Sequence, residues 1–481
     1  MKQELFRSLG RTGTGLAALA AVLLAPLTPP TAAAAAEGSL TVESYVLPVG
    51  AKIPSLEELR NPEVRADLAR RSKSANPLVA PQEMVGPAAS LLPAAAEPSA
   101  RPAASGSGPK GSVAGASLYP DPPRKLSRAE CKKELQGHLF YAKSRFAMCG
   151  GIQMVQTWLK RGRPVGQTAF TAWVIGTIPN AKSRTVEFDY YFTDFSDRGS
   201  NLSSKLWIES KLEMTQVIAP NARKKQTGSP PPARTFDTLK GTPRTYNHDV
   251  SFKAGQGVGR DDLVAMSYQP SVKVTFPSEW PGTNDIERIT FTAMDWDAAG
   301  YLPNSDVADP AKRGGVSFAY IAELPYRMKA GAPEKAVAEH LNQVHTKPAT
   351  THPKLPTKNV PGFEVKRRLH RLFHDNQRRR KNRDEARKVC VDVWGADYAT
   401  NDPAGPRECD EFPFSSTYEG AAQPAGEPGA RAKNWSAKAL SKDDNGAAGT
   451  ILGEFYDKNR VIEGRDAQGV EVDGFIIKIV R

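Results

Sequence analysis

Nowhere in the 481 residues does an apolar run reach the roughly twenty needed to span a hydrocarbon layer. The run Leu16 to Leu27 is preceded by Lys2, Arg7 and Arg11 and followed by the small residues Ala32 to Ala36, the layout of a secretory signal peptide cleaved near Ala36. The expected product is secreted and extracellular, with no membrane span. Cysteine is scarce: only Cys131, Cys149, Cys390 and Cys409 occur, and neither close pair has zinc-site spacing. An even number in an oxidising compartment points to bridges. Of the three pairings that four cysteines allow, the local ones are preferred, Cys131 with Cys149 and Cys390 with Cys409. Each closes a loop of about twenty residues, which loop-closure entropy makes worth roughly 3 kcal/mol. Acidic residues are in deficit, 52 against 65 Lys and Arg, for a formal charge of +13. That balance favours polyanionic partners such as nucleic acid or an acidic cell surface. A solvated basic surface gives the same balance.

Beyond residues 1–36 about 445 remain, room for two or three domains. Residues 37–123 are rich in Ala, Pro, Ser and Gly and read as a linker. Short helices are expected within it, from the capping-box spacing Ser55 to Glu58, from Asn61-Pro62, and from a sparse stripe of Leu56, Leu59, Val64 and Leu68. Across residues 124–330 the pattern becomes short, β-branched and aromatic runs: Thr168 to Ile178, Thr185 to Thr193, Leu206 to Ile218, Ser271 to Phe276, Ile289 to Met294 and Val316 to Leu324. Punctuated by Gly, Pro, Asn and Asp, they predict an all-β central domain, sandwich or barrel-like. No catalytic motif stands out there. His248 and Asp295 read as isolated polar residues of the kind surfaces carry, so the domain is expected to bind an unknown ligand or to serve structure. Residues 331–365 supply a helix, Pro333 to His345, and a Pro/Thr/Lys linker.

Residues 366–481 form the last unit. Its lead-in, Lys366 to Lys388, sets eleven bases against three acids, and Leu369, Leu372 and Phe373 give it a weak helical face. A basic helix at that place would suit phosphate gripping, with Arg378, Arg379, Arg380 and Lys381 as the DNA-binding candidates. A solvated face is the plain alternative. From Cys390 to Arg481 there is no histidine, and the two cysteines are assigned to a bridge. Any base or metal ligand there must be oxygen-based, which suits a hard cation such as Mg²⁺ or Mn²⁺. The candidates gather in Cys409-Asp410-Glu411-Phe412-Pro413-Phe414-Ser415-Ser416-Thr417-Tyr418-Glu419-Gly420 and in Asp443-Asp444-Asn445-Gly446. Taken singly, Asp-Glu or Asp-Asn pairs are usually turn or helix caps.

Taken together with Leu452-Gly453-Glu454-Phe455-Tyr456 and Asn459-Arg460-Val461-Ile462-Glu463-Gly464, these strings resemble the secreted bacterial deoxyribonuclease family NucA/NucB, over Arg387 to Arg481. The resemblance implies a small α+β metal-finger-like nuclease domain that cuts DNA with little sequence preference. In it Asp410 would replace the histidine base of other small metal-finger nucleases. Asn445 would help hold the metal, and Glu411 and Glu419 match family positions, so the catalytic set is Asp410, Glu411, Glu419 and Asn445. Glu454 is a second metal-ligand candidate, at the point where a helical carboxylate would face the ion. Gly446 stands where the family often carries a polar or basic residue, a departure that favours the alternative of an inactive DNA- or wall-polymer-binding protein. Gly420, Gly449 and Gly453 read as backbone necessities. The ending, Asp473 to Val480, alternates as a closing strand.

Overall fold

The computed structural model describes residues 39–74, 117–135, 137–282 and 286–481. The signal-peptide reading of residues 1–36 and most of the Ala/Pro-rich linker lie outside the described residues. In chain order the elements that matter are β1 (Leu40–Leu47), α1 (Pro62–Ser74), α2 (Arg128–Glu134), β2 (Phe140–Ser144), β3 (Ala147–Lys160), β4 (Arg163–Thr177), β5 (Thr185–Gly199), β6 (Trp207–Ile218), β7 (Lys224–Gly228), β8 (Arg234–Thr235), α3 (Phe236–Gly241), β9 (Tyr246–Phe252), β10 (Val264–Thr275), β11 (Ile286–Arg288), β12 (Met294–Asp297) and β13 (Gly315–Phe318). There follow β14 (Ala322–Arg327), α4 (Lys335–Thr346), α5 (Asn376–Trp394), β15 (Arg407–Phe412), α6 (Gln423–Gly426), β16 (Ser436–Ser441), α7 (Lys442–Lys458) and β17 (Phe475–Val480). Among the described residues no helix is long and apolar enough to cross a membrane.

Strands β1 to β13 build two antiparallel sheets. One runs β1-β3-β4-β5-β9-β7, with β2 also on β3; the other runs β13-β12-β10-β6-β8, with β11 also on β10. Met148, Trp158, Phe170 and Phe188 from the first and Ile208, Met266, Tyr268 and Trp296 from the second share one core. Phe188 stacks on Tyr268 across that core at 3.6 Å. Five readings change here. Leu40–Leu47, inside the stretch read as linker, is an edge strand paired with β3 along its whole length; its apolar residues do not alternate, so the strand signal is weak. Ile289 to Met294 only borders strands β11 and β12, and Val316 to Leu324 splits into β13 and β14, which belong to different sheets. His248 is buried, hydrogen-bonded at Nδ1 to the Tyr268 hydroxyl (2.9 Å) and at Nε2 to Gln226 (3.1 Å). Asp295 is partly buried near Asp473 and Arg145, and burial foremost pushes its carboxyl up to about 7. Neither is a plain surface residue.

A second core collects Leu324 and Tyr326 of β14, Val337, Leu341 and Val344 of α4, Phe412 of β15, Ile451 and Phe455 of α7 and Ile477 of β17. Strand β14 pairs in parallel with β17, and β15 and β16 form an antiparallel hairpin that leads straight into α7. The basic lead-in is only partly helical. Residues 368 to 375 run without helix, with Leu369 and Leu372 buried, and α5 starts at Asn376, where the Asp375 carboxylate accepts from the Arg378 amide at 2.8 Å. Both local disulfides form, Cys131–Cys149 and Cys390–Cys409, and the second ties α5 to β15.

The two bodies meet through buried charge. The Arg460 guanidinium donates to both Asp297 oxygens, at 2.6 and 2.9 Å, and Arg145 pairs with Asp473 at 3.0 Å. Tyr301 stacks on Phe373 at 3.7 Å.

Candidate active site

Hairpin and helix together wall a cleft of about 880 Å³. From β15 come Glu408, Asp410 and Glu411; from α7 come Asn445, Ala448, Gly449, Leu452, Gly453 and Tyr456. Those α7 positions recur at spacings of three and four, so they form one stripe of the helix. The opposite wall is α5, which presents Arg379, Arg383 and Arg387, again four residues apart, and Arg371, Arg407 and Lys442 add three more cations. Carboxylates thus face a row of guanidiniums across a space open to solvent.

Asp410 is buried except for its edge on the cleft. Its Oδ2 accepts a 2.5 Å hydrogen bond from His340 Nδ1. Glu411 is hydrogen-bonded by Ser415, whose amide donates over a long 3.3 Å. Burial first, and then the Asp410 charge, push its carboxyl from the usual range up to about 7. In the first turn of α7, Asn445 Nδ2 donates to Glu408 Oε2 at 3.0 Å. Arg379 is held below its ordinary pKa by burial and by the nearby charges of Arg383 and Arg371, and its Nε has no hydrogen-bond partner among the described residues. Such a cluster of like charges is stabilised by an anion between them.

Of the residues singled out from the sequence, Asp410, Glu411, Asn445 and Arg379 come together at this cleft. Glu419 does not line it: its carboxylate accepts from the His370 amide (2.9 Å) and Nδ1 (2.8 Å) and lies 3.4 Å from Arg465. Glu454 lies off the cleft stripe of α7, where it accepts from Ser117 Oγ (2.8 Å) and the Tyr119 amide (2.7 Å). Arg378 binds Glu427 at 2.5 Å and the Tyr418 carbonyl, while Arg380 and Lys381 are exposed outside the lining. Gly420 is a packing necessity, since a Cβ there would meet the Asn382 side chain at 2.4 Å. Gly449 and Gly453 are not: a Cβ would meet open space, and their bareness keeps the α7 wall of the cleft clear. Glu408, Arg383, Arg387 and His340 are the residues the sequence strings leave out. The i, i+4, i+8 spacing of Arg379, Arg383 and Arg387 is the one signal that could have found any of them.

A hairpin and a following helix, with paired carboxylates opposite arginines, make a centre suited to cutting phosphodiesters. Residues 362–468 match the family model of the deoxyribonuclease NucA/NucB, so the C-terminal region is a domain of that deoxyribonuclease family. The match includes the cleft residues from Arg371 to Tyr456 and excludes β14, α4 and β17. No curated protein and no solved structure matches the chain.

Proposed function

We propose that the protein is a secreted, metal-dependent endonuclease that hydrolyses DNA with little sequence preference. The observation that carries this reading is the convergence of Asp410, Glu411 and Asn445 with Arg379, Arg383 and Arg387 on one open cleft. Phosphate contacts from arginine need no base reading, so such a cleft accepts any sequence. Asp410 takes the proton of the attacking water, and the arginines balance charge on the non-bridging oxygens. The signal-peptide layout and the two disulfides support export.

Among the described residues no group of three His, Cys, Asp or Glu side chains is placed to hold a metal ion. The donor set nonetheless fits a hard cation: Mg²⁺ is commonly held by one or two carboxylates, with waters and substrate phosphate completing its shell. Glu411, Glu408 and the Asn445 amide oxygen would hold it, and it would supply positive charge to the scissile phosphate. A carboxyl raised by burial beside a second carboxylate is where a cation relieves the most repulsion.

That placement has a thermodynamic signature. Glu411 keeps its proton in the folded chain between about pH 4.5 and pH 7, where the unfolded chain has released it, so its contribution to stability is lost as pH rises through that window. In chelator, Tm of the wild type should fall from pH 5 to pH 7.5 by more than that of Glu411→Gln, and Mg²⁺ or Mn²⁺ should restore the wild type alone. Equal Tm profiles for the two proteins would remove Glu411 from the cation site.

Plasmid nicking by the oxidised full-length chain, with Mg²⁺, with Mn²⁺ and with chelator, tests the reading directly. Cleavage only with a divalent ion is expected. The position of Glu454 outside the cleft favours a second reading, an inactive DNA- or wall-polymer-binding protein. DNA retention without cleavage in any divalent ion would establish that one instead.

A further inference from the structure

One side chain outside the family match touches the proposed base. His340 belongs to α4, is 1 % exposed, and does not line the cleft. Its Nδ1 lies 2.5 Å from Asp410 Oδ2 and its Nε2 lies 2.7 Å from Ser436 Oγ. A carboxylate accepts, so Nδ1 carries a proton and donates to Asp410, and the second ring nitrogen is tied to the Ser436 hydroxyl. The arrangement has the membership of a serine-hydrolase triad but not its access, because Ser436 is fully buried and absent from the cleft wall. Nor can the imidazole serve as the base, with both nitrogens occupied away from solvent.

What remains is orientation. Ser436 stands opposite Phe412 in the hairpin, two residues beyond Asp410 on the same strand face. The ring therefore clamps the Asp410 carboxylate to the partner strand. One turn earlier on α4, the Ala336 amide donates to Asp444 Oδ2 at 2.9 Å, next to Asn445. A single helix thus holds the two arms of the centre, β15 and the start of α7, at a set separation.

We propose that His340 is a positioning residue for Asp410, holding Oδ2 so that the other carboxylate oxygen meets the attacking water. The proposal rests on the nuclease reading above. It makes α4, contributed by chain outside the matched residues, part of the catalytic apparatus.

The test uses the full-length oxidised protein. His340→Phe fills the space and removes both hydrogen bonds; His340→Asn keeps a donor close to the place of Nδ1. With Mg²⁺ or Mn²⁺ and plasmid DNA, His340→Phe should lower kcat by about 10- to 100-fold, the usual loss when an outer partner of a reacting group is removed, with KM unchanged. His340→Asn should recover much of that loss. DNA binding in chelator should equal wild type for both variants. The imidazole N–H proton resonance of His340, followed without metal, should vanish in His340→Asn and shift in Asp410→Asn. Wild-type kcat in His340→Phe beside an inactive Asp410→Asn would overturn the proposal and leave the nuclease reading standing. Loss of DNA binding along with kcat, without rescue by Asn, would make His340 a folding residue only and overturn it too. If the wild type cuts nothing, the nuclease reading fails, and a resonance unmoved by Asp410→Asn would then separately end the pairing.

Discussion

Asp410→Asn should abolish cleavage of plasmid DNA while leaving the fold and DNA affinity intact. Asparagine has the same shape, and its carbonyl oxygen can still accept from His340, so the hairpin, the disulfide to Cys390 and the packing on α4 stay as they are. What the variant loses is the capacity to accept a proton from water. Removal of a general base costs roughly 10²- to 10⁴-fold in rate. Its Tm should stay near that of wild type. A variant that cuts at the wild-type rate would make Asp410 a structural partner of His340 and nothing more.

Arg379→Gln, Arg383→Gln and Arg387→Gln combined should weaken DNA binding on the order of 10²-fold at moderate salt, about 0.9 kcal/mol for each phosphate contact removed. Eight residues of helix separate the first from the last, about 12 Å along the axis at 1.5 Å per residue. At roughly 3.4 Å of duplex axis per phosphate on one strand, the row spans three or four phosphates. The slope of log affinity against log salt should become shallower by about 2.7, the counterion share of three contacts. Saturating turnover should fall far less than affinity. The pair Arg380→Gln and Lys381→Gln serves as control, because both side chains lie outside the cleft lining. Unchanged affinity and salt slope in the triple variant, or an equal loss in the control pair, would place the DNA elsewhere on the chain.

How much of this centre can be read from residues in order depends on how local each part is. Asp410 and Glu411 stand in a distinctive string on one strand, and Asn445 in a recognisable helix start, so their chemistry shows in sequence. Glu454 shows why a string alone misleads. The cleft stripe of α7 runs through Gly449 and Gly453, and Glu454 is one residue on, turned about 100° around the axis toward Ser117 and Tyr119. Glu419 is likewise a carboxylate in a matching string whose partners, His370 and Arg465, are set by tertiary packing. His340 gives no local sign at all, since it meets Asp410 across 70 residues. In the β-rich body the runs Thr168 to Ile178, Thr185 to Thr193 and Leu206 to Ile218 fall on β4, β5 and β6, while Ile289 to Met294 only borders strands and the pairing of Leu40–Leu47 with β3 depends on chain more than a hundred residues away.

The buried pairs Arg460–Asp297 and Arg145–Asp473 change what a domain boundary means in this chain. Sequence similarity begins at residue 362, yet a polypeptide started there would lack Asp297 and Arg145, leaving Arg460 and Asp473 without their counter-ions. Ile462, which packs with Leu263, Ala299 and Leu302 of the β-rich body, would face water. It would also lack β14, the parallel neighbour of β17, and the whole of α4. The segment that matches the family model is therefore smaller than the packed unit it belongs to. A substitution on one side of these shared charges leaves a buried ion unpaired on the other, so the matched region and the β-rich body constrain each other residue by residue.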